Sequence, residues 1–553
     1  MTDRLTRSRF LRAAAGAAAA LALAPRPALA GTLRRPLLRY LAVRNVGRAY
    51  RGDRRLFATV SPGVARRDAA RVSFELARPA TVRLEAIRTA LRQRIVVWET
   101  ERKLPRGEHA LGWTPDPDTR VGSYVLRLTV EDGRGTRRVY GGTRPLKAGR
   151  SRSAVVRVLG VEAAFGKRSY RPLEPARLTV TADCEELTIQ FLHCGTEPEY
   201  TDRTDEMRGN PVSEPLVVDW RRHRLAPATI LLRPGPWVSG VYTAKLTTDD
   251  GRVGFAPLVL RPPTLGTVRE AVVIPTNTWQ AYNFFDSDGD GWGDTWYAGG
   301  EPPVRLDRPY RERGTPPRWR RYDVGYLKFL QSTSRTPDML ADDDLEAMPD
   351  GETLRRLYDL VVFPGHSEYM TERAYNVTRK FRDLGGRLIL LSANNFFWKV
   401  RKRGDLMLRG KLWRNAGRPE STLLGVQYRA NDDGRRQAPF VIADTAAAPW
   451  LFQRTTLANG SLLGDNVGGY GIEIDMTTPF SPPGTRVLAR IPDLFGPGLS
   501  AEMAYYETDA GARVFSAGVL DFCGTVHWEP MRTVVDNLWR HMVSDVPPPP
   551  ATA

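Results

Sequence analysis

The chain has 553 residues, 42% hydrophobic and 26% charged, which is enough for several domains with buried cores. Its formal charge of +19 would attract acidic surfaces, but the arginines are scattered and form no basic helix or groove motif, which argues against nucleic-acid binding. After the first thirty residues no stretch is long and apolar enough to span a bilayer.

Residues 1–30 read as an export signal. Arg4, Arg7, Arg9 and Arg12 precede an alanine/leucine run that closes on Ala28-Leu29-Ala30, where cleavage is expected. Arg7-Ser8-Arg9-Phe10-Leu11-Arg12 resembles a twin-arginine signal with Ser8 where the second arginine belongs. The mature protein is therefore expected to be exported or held in the cell envelope, with no transmembrane anchor once the signal is removed.

Two strand-rich regions follow, over 31–150 and 151–262. RVSFEL, TVRLEAI and YVLRLTVED in the first, and ARLTVTA, LTIQFLH and VYTAKLTTDD in the second, alternate apolar and polar residues. The two share an ending, Gly122–Arg134 as GSYVLRLTVEDGR and Gly240–Arg252 as GVYTAKLTTDDGR. A hairpin used twice predicts two tandem β-sandwiches, the first resembling immunoglobulin-like modules. Cys184 and Cys194 lie in the second region and could pair in an oxidising compartment, while Cys523 reads as a buried free thiol.

After Pro262 the pattern changes. EAVVIP, YDLVVFPG, GRLILLSAN and ARVFSAGVLDF are short apolar runs separated by helical stretches such as YNVTRKFRDLGG, which predicts an α/β domain with a mainly parallel sheet over 263–546. The proline-rich end, 547–553, is expected to be disordered. In parallel sheets, sites collect at the carboxyl ends of strands. There the sequence places Thr276-Asn277-Thr278, Gly365-His366-Ser367-Glu368 and Asn394-Asn395. His366 can move protons near neutral pH, and Glu368, two positions on, can ligate a metal.

Asp286, Asp288 and Asp290 followed by Gly291, with Asp294 beyond, match most ligand positions of a calcium loop. Tyr297 stands where the closing bidentate carboxylate belongs, so a structural calcium site and a solvated turn both remain open. Zinc-protease, serine-elbow and phosphate-loop signatures do not occur.

Thr278–Asn283 (TWQAYN), Asp307–Tyr310 (DRPY), Gly365–Tyr369 (GHSEY) and Ala393–Arg401 (ANNFFWKVR) occur in that order. Together they resemble the C-terminal domain of the N,N-dimethylformamidase large (beta) subunit family, over roughly residues 270–545. The resemblance implies an amidohydrolase with mononuclear iron on two tyrosinates and one glutamate: Tyr282, Tyr310 and Glu368, with Tyr297 as a rival tyrosine. It assigns His366 and Asn394 to catalysis or to the polar groups around the metal. It also implies a small amide-like substrate and either a small partner subunit or a homo-oligomer. The alternative from the residues alone is a secreted, non-catalytic binding protein with a calcium-stabilised α/β domain.

Overall fold

The computed structural model describes residues 36–90, 93–143, 153–196, 206–297 and 302–544. The export signal expected over 1–30 and the tail over 547–553 lie outside them.

In the first region a three-stranded sheet (Leu38–Asn45, Ala70–Leu76, Gly107–Trp113) shares one core with a six-stranded sheet built around Gly122–Asp132, Ala80–Ala90 and Ala154–Val158. Alternation decides what faces inward: along Ala70–Leu76, Val72, Phe74 and Leu76 are buried while the residues between them are not. The second region repeats the plan. Glu162–Phe165, Ala176–Thr181 and Ala228–Leu232 form one sheet, and Gly240–Thr248, Val253–Leu260 and Glu186–Cys194 anchor the other, around Leu178, Ile189, Leu246 and Leu258.

The shared ending is a hairpin in both. Gly122–Asp132 pairs antiparallel with Arg137–Tyr140, and Gly240–Thr248 with Val253–Leu260. The likeness extends to one side chain. Tyr124 donates its hydroxyl proton to the Arg120 carbonyl at 2.6 Å, and Tyr242 donates to the Val238 carbonyl at 2.8 Å. Each tyrosine thus pins the chain four residues upstream of itself.

All three cysteines are buried, and none is in a disulfide among the described residues. Cys184 and Cys194, which the sequence allowed to pair, belong to different cores: Cys184 packs inside the second β unit, Cys194 against the large C-terminal core.

That core surrounds a nine-stranded sheet. Asp338–Ala341, Glu270–Ile274, Leu360–Phe363, Arg387–Leu390 and Arg513–Ser516 run parallel, in that spatial order. Ala501–Glu507, Arg486–Ile491, Phe440–Ile442 and Leu462–Leu463 continue the sheet antiparallel. The parallel strands are buried on both faces, which is why they read as unbroken apolar runs. Val272 and Ile274 enter one hydrophobic cluster, Ala271 and Val273 the other.

Helix Glu372–Asp383 lies between two of the parallel strands. The Thr371 hydroxyl caps its start by accepting the Ala374 N–H at 3.3 Å, and Gly385 ends it in the left-handed region at φ 84°. The molecule is multidomain and mostly β-sheet, with few helices.

Candidate active site

Three of the sequence motifs meet at the carboxyl ends of neighbouring parallel strands. Helix Thr276–Ala281 follows Ile274, the His366–Glu368 loop follows Phe363, and the Asn394–Asn395 turn follows Leu390. They are tied to one another. The Glu368 N–H donates to Thr278 Oγ1 at 3.1 Å, the Ser367 N–H to Asn395 Oδ1 at 3.2 Å, and the Phe396 N–H to the Ser367 carbonyl at 2.8 Å.

The hydroxyl of Tyr282 donates a hydrogen bond to Glu368 Oε2. His366 Nε2 lies 3.6 Å from the same oxygen and 3.6 Å from Glu473 Oε2. The side chain of Asn394 lies beside both carboxylates and favours the ionised form of each. Tyr297 packs edge-on against Tyr282, their ring centroids 4.9 Å apart. Of the residues named from sequence, Tyr282, Tyr297, His366, Glu368 and Asn394 therefore gather at one point.

Tyr310 has other partners. It is buried edge-on against Trp279, beside Gln280, and feels the charges of Arg168 and Arg308.

The electrostatics of the cluster follow from burial. Burial raises the Glu368 carboxyl to about 7. Burial and then the neighbouring Glu368 charge push Glu473 well above the carboxylate range. The Tyr282 phenol is raised in the same way, by burial and then by Glu368. His366, 2% exposed, is lowered to about 3 by burial, so its ring is neutral at pH 7. Neither of its ring nitrogens has a hydrogen-bond partner, and Asn394 Oδ1 and Glu473 Oε2 are also unpartnered. Buried polar groups normally find partners, so such a concentration of orphans marks a place built for a ligand.

Several site residues were not named from sequence. Tyr369 lies against the Tyr282–Glu368 pair, its ring 5.9 Å from that of Tyr282. Tyr322 approaches His366 at 6.3 Å between centroids. Glu473 comes from the strand Glu473–Met476, which pairs with Gln427–Asn431 outside the large sheet. Its one sequence signal was the alternation in Glu473-Ile474-Asp475-Met476, where Ile474 is fully buried in the core and the acids face the other way. Backbone strain collects beside these groups: Asn394 (φ 56°), Phe396 (φ 55°) and the β-branched Ile472 (φ 67°) all occupy the left-handed region.

The DRPY motif holds the turn that carries Tyr282. Arg308, 4% exposed, donates to the carbonyls of Gln280 (2.7 Å), Asn283 (3.2 Å), Phe285 (3.0 Å) and Asp294 (2.8 Å). Its closest carboxylate, Asp294, is 3.8 Å away.

The aspartate loop lies just beyond. Asp286, Asp288 and Asp290 bring carboxylate oxygens within 4.8 Å of one another. Asp294 turns away, accepting the Ser287 N–H at 2.8 Å. The loop is seated on the first β unit. Arg54 donates to the Asp288 and Gly289 carbonyls at 2.8 and 3.0 Å, and Thr89 to the Gly291 carbonyl at 2.7 Å. Gly291 lies so close to Val125 that an added methyl would stand 2.4 Å from its side chain.

Fold and site together define a multidomain, mostly β protein with a carboxylate–phenol–imidazole cluster at a sheet edge. The chain belongs to the N,N-dimethylformamidase beta subunit-like family, whose C-terminal model matches residues 218–533. It is 23% identical over 323 residues to the N,N-dimethylformamidase beta subunit of Paracoccus aminophilus, and 22% identical over 332 residues to that of Alcaligenes sp. These alignments cover 47% and 48% of this chain but 41% and 42% of the relatives, so less than half of each relative is matched. A solved structure described as the mmIFT52 N-terminal domain superposes at a TM-score of 0.24 and 11% identity, over 40% of this chain and 90% of that one.

Proposed function

We propose that the protein is an exported, metal-dependent hydrolase of an amide-like C–N bond. The observation that carries this reading is the convergence of Tyr282, Glu368, Glu473 and His366 on one buried point where polar atoms lack partners. The donor set suits a hard cation: phenol and carboxylate oxygens held close together, with their ionised forms disfavoured until positive charge arrives. Tyr282 and Glu368 would hold iron, with Tyr297 and Tyr369 adjacent. Tyr310, the other tyrosine suggested by family resemblance, has its partners elsewhere.

Ferric iron bound there would supply Lewis acidity toward an amide carbonyl and toward water. The chain's own residues account for the proton movements. Neutral His366 accepts a proton as water attacks the carbonyl carbon and the new C–O bond forms. It returns that proton to the nitrogen as the C–N bond breaks, leaving a carboxylic acid and an amine. Glu473, 3.6 Å away, stabilises the transient imidazolium. The Asn394 amide would donate a hydrogen bond to the developing oxyanion.

Around this centre we read the two β units, each with two sheets about one core, as immunoglobulin-like sandwiches over 31–150 and 151–262. The region over 263–546 is read as an α/β domain, supported by its five parallel strands. Calcium on Asp286, Asp288 and Asp290 would pin the loop to the first unit. A small partner subunit is consistent with relatives that are named as beta subunits. The reading is tested by assaying amine release from a panel of small amides before and after chelation. Loss on chelation and recovery with iron supports it; release that chelation leaves unchanged refutes it.

A further inference from the structure

We propose that Asp475 is the residue that positions Asn394 in the site, a role that rests on the amide-hydrolase reading above. Asn394 sits at φ 56°, in the left-handed region that Asn enters more readily than most side-chain-bearing residues. Its backbone N–H donates to Asp475 Oδ1 at 2.9 Å. Both residues are buried, at 3% and 1% exposure, so neither water nor a passing side chain can replace that acceptor.

Asp475 is itself fixed from two sides. Its own N–H donates to the Gly518 carbonyl at 2.9 Å, which ties it to the loop leaving the central strand Arg513–Ser516. Its strand is paired with Gln427–Asn431, where Tyr428 stands opposite Asp475. Gly518 in turn has no room for a side chain, since an added methyl would lie 2.0 Å from the Glu502 carbonyl. The clamp is therefore rigid.

Spacing gives the clamp its functional meaning. Glu473 and Asp475 are two apart on one strand and so point to the same side. Glu473 enters the cluster beside the Asn394 side chain, while Asp475 takes the Asn394 backbone N–H. One strand thus contacts Asn394 at both its amide groups. It sets the amide's aim at Glu368 and Glu473 and leaves Asn394 Oδ1 open to the site.

The test compares Asp475→Asn, which keeps a planar oxygen acceptor, with Asp475→Ala, which removes it. Amide hydrogen exchange on peptides spanning residues 391–397 should find the Asn394 N–H at least tenfold faster in D475A and close to wild type in D475N. Iron affinity, measured by chelator competition, should fall in D475A. In an Asn394→Ala background the same change should have no further effect, because Asp475 acts through Asn394. Additive effects in that cycle, or unchanged exchange in D475A, overturn the proposal. If D475A does not fold, Asp475→Ser carries the same comparison. If wild-type protein binds no iron, the hydrolase reading fails and the exchange comparison alone decides the positioning role.

Discussion

Tyr282 and Glu368, separated by 86 positions, are hydrogen-bonded across the edge of the large sheet. One comes from the helix after the first strand of that region and the other from the loop after its parallel neighbour, so the pairing of Glu270–Ile274 with Leu360–Phe363 is what brings them together. Phe substitution at Tyr282 should leave the fold intact and remove one oxygen donor. We expect Y282F to bind iron at least tenfold more weakly than wild type, measured by chelator competition. Equal affinity would remove Tyr282 from the site.

Glu473 offers a sharper test, because no sequence motif marks it. With its carboxyl 3.6 Å from His366 Nε2, Glu473→Gln keeps the shape and removes the group that would ionise to balance a protonated imidazole once a cation is bound. The expected loss in kcat is about 100-fold or more, the usual scale of acid–base assistance, with KM changed little. A variant with wild-type kcat on an amide that the native protein hydrolyses would place Glu473 outside the chemistry.

Arg308→Lys should destabilise the protein by about 2–3 kcal/mol in urea unfolding, since an ammonium cannot span four carbonyls at once and leaves buried acceptors unpaired. Because those carbonyls flank Tyr282, iron affinity should fall in the same variant. A stable R308K with unchanged affinity would show that the turn is held by something else.

Calcium should raise the melting temperature of the native protein, and Asp286→Asn should abolish the rise. Asp286 lies at the centre of the loop, accepting the N–H groups of Gly289, Asp290 and Gly291. A melting temperature indifferent to calcium would leave the loop as a turn docked on the first β unit.

Asp536 sets a pH dependence remote from the site. Burial raises its carboxyl, but hydrogen bonds from Arg454, Arg335 and Arg540 outweigh that and hold it well below the usual carboxylate range. A group depressed in the folded state contributes stability that is complete above its unfolded value of 3.8 and is lost as pH falls through and below it. Asp536→Asn should therefore cost about 2 kcal/mol at pH 7, where two of the three arginine partners are half exposed. The cost should shrink below pH 4. A difference between wild type and variant that is flat from pH 7 to pH 3 would contradict this.

What the sequence made legible was whatever repeats or ends a strand. The twin hairpins were readable because Gly122–Arg134 and Gly240–Arg252 repeat a pattern, and Tyr124 and Tyr242 turn out to do the same job in each. His366, Glu368 and Asn394 were readable because polar residues directly after buried apolar runs can only emerge at the sheet edge. Glu473 was not, because its strand lies outside the large sheet and its partners in the cluster, His366, Glu368 and Asn394, come from more than seventy residues upstream. Arg308 and Tyr310 were visible as a motif without their partners. A buried arginine facing carbonyls and one facing a carboxylate look alike in sequence. Likewise the aspartate loop carried its ligand spacing openly, whereas its seat on Val125 and Thr89 depends on how the units pack.

Metal analysis of the purified native protein, together with its visible spectrum, tests whether Tyr282 and Glu368 hold a metal. About one iron per chain and a phenolate-to-iron absorption band are expected, both lost in Glu368→Ala. A colourless native protein with no iron, or with calcium alone, would contradict it.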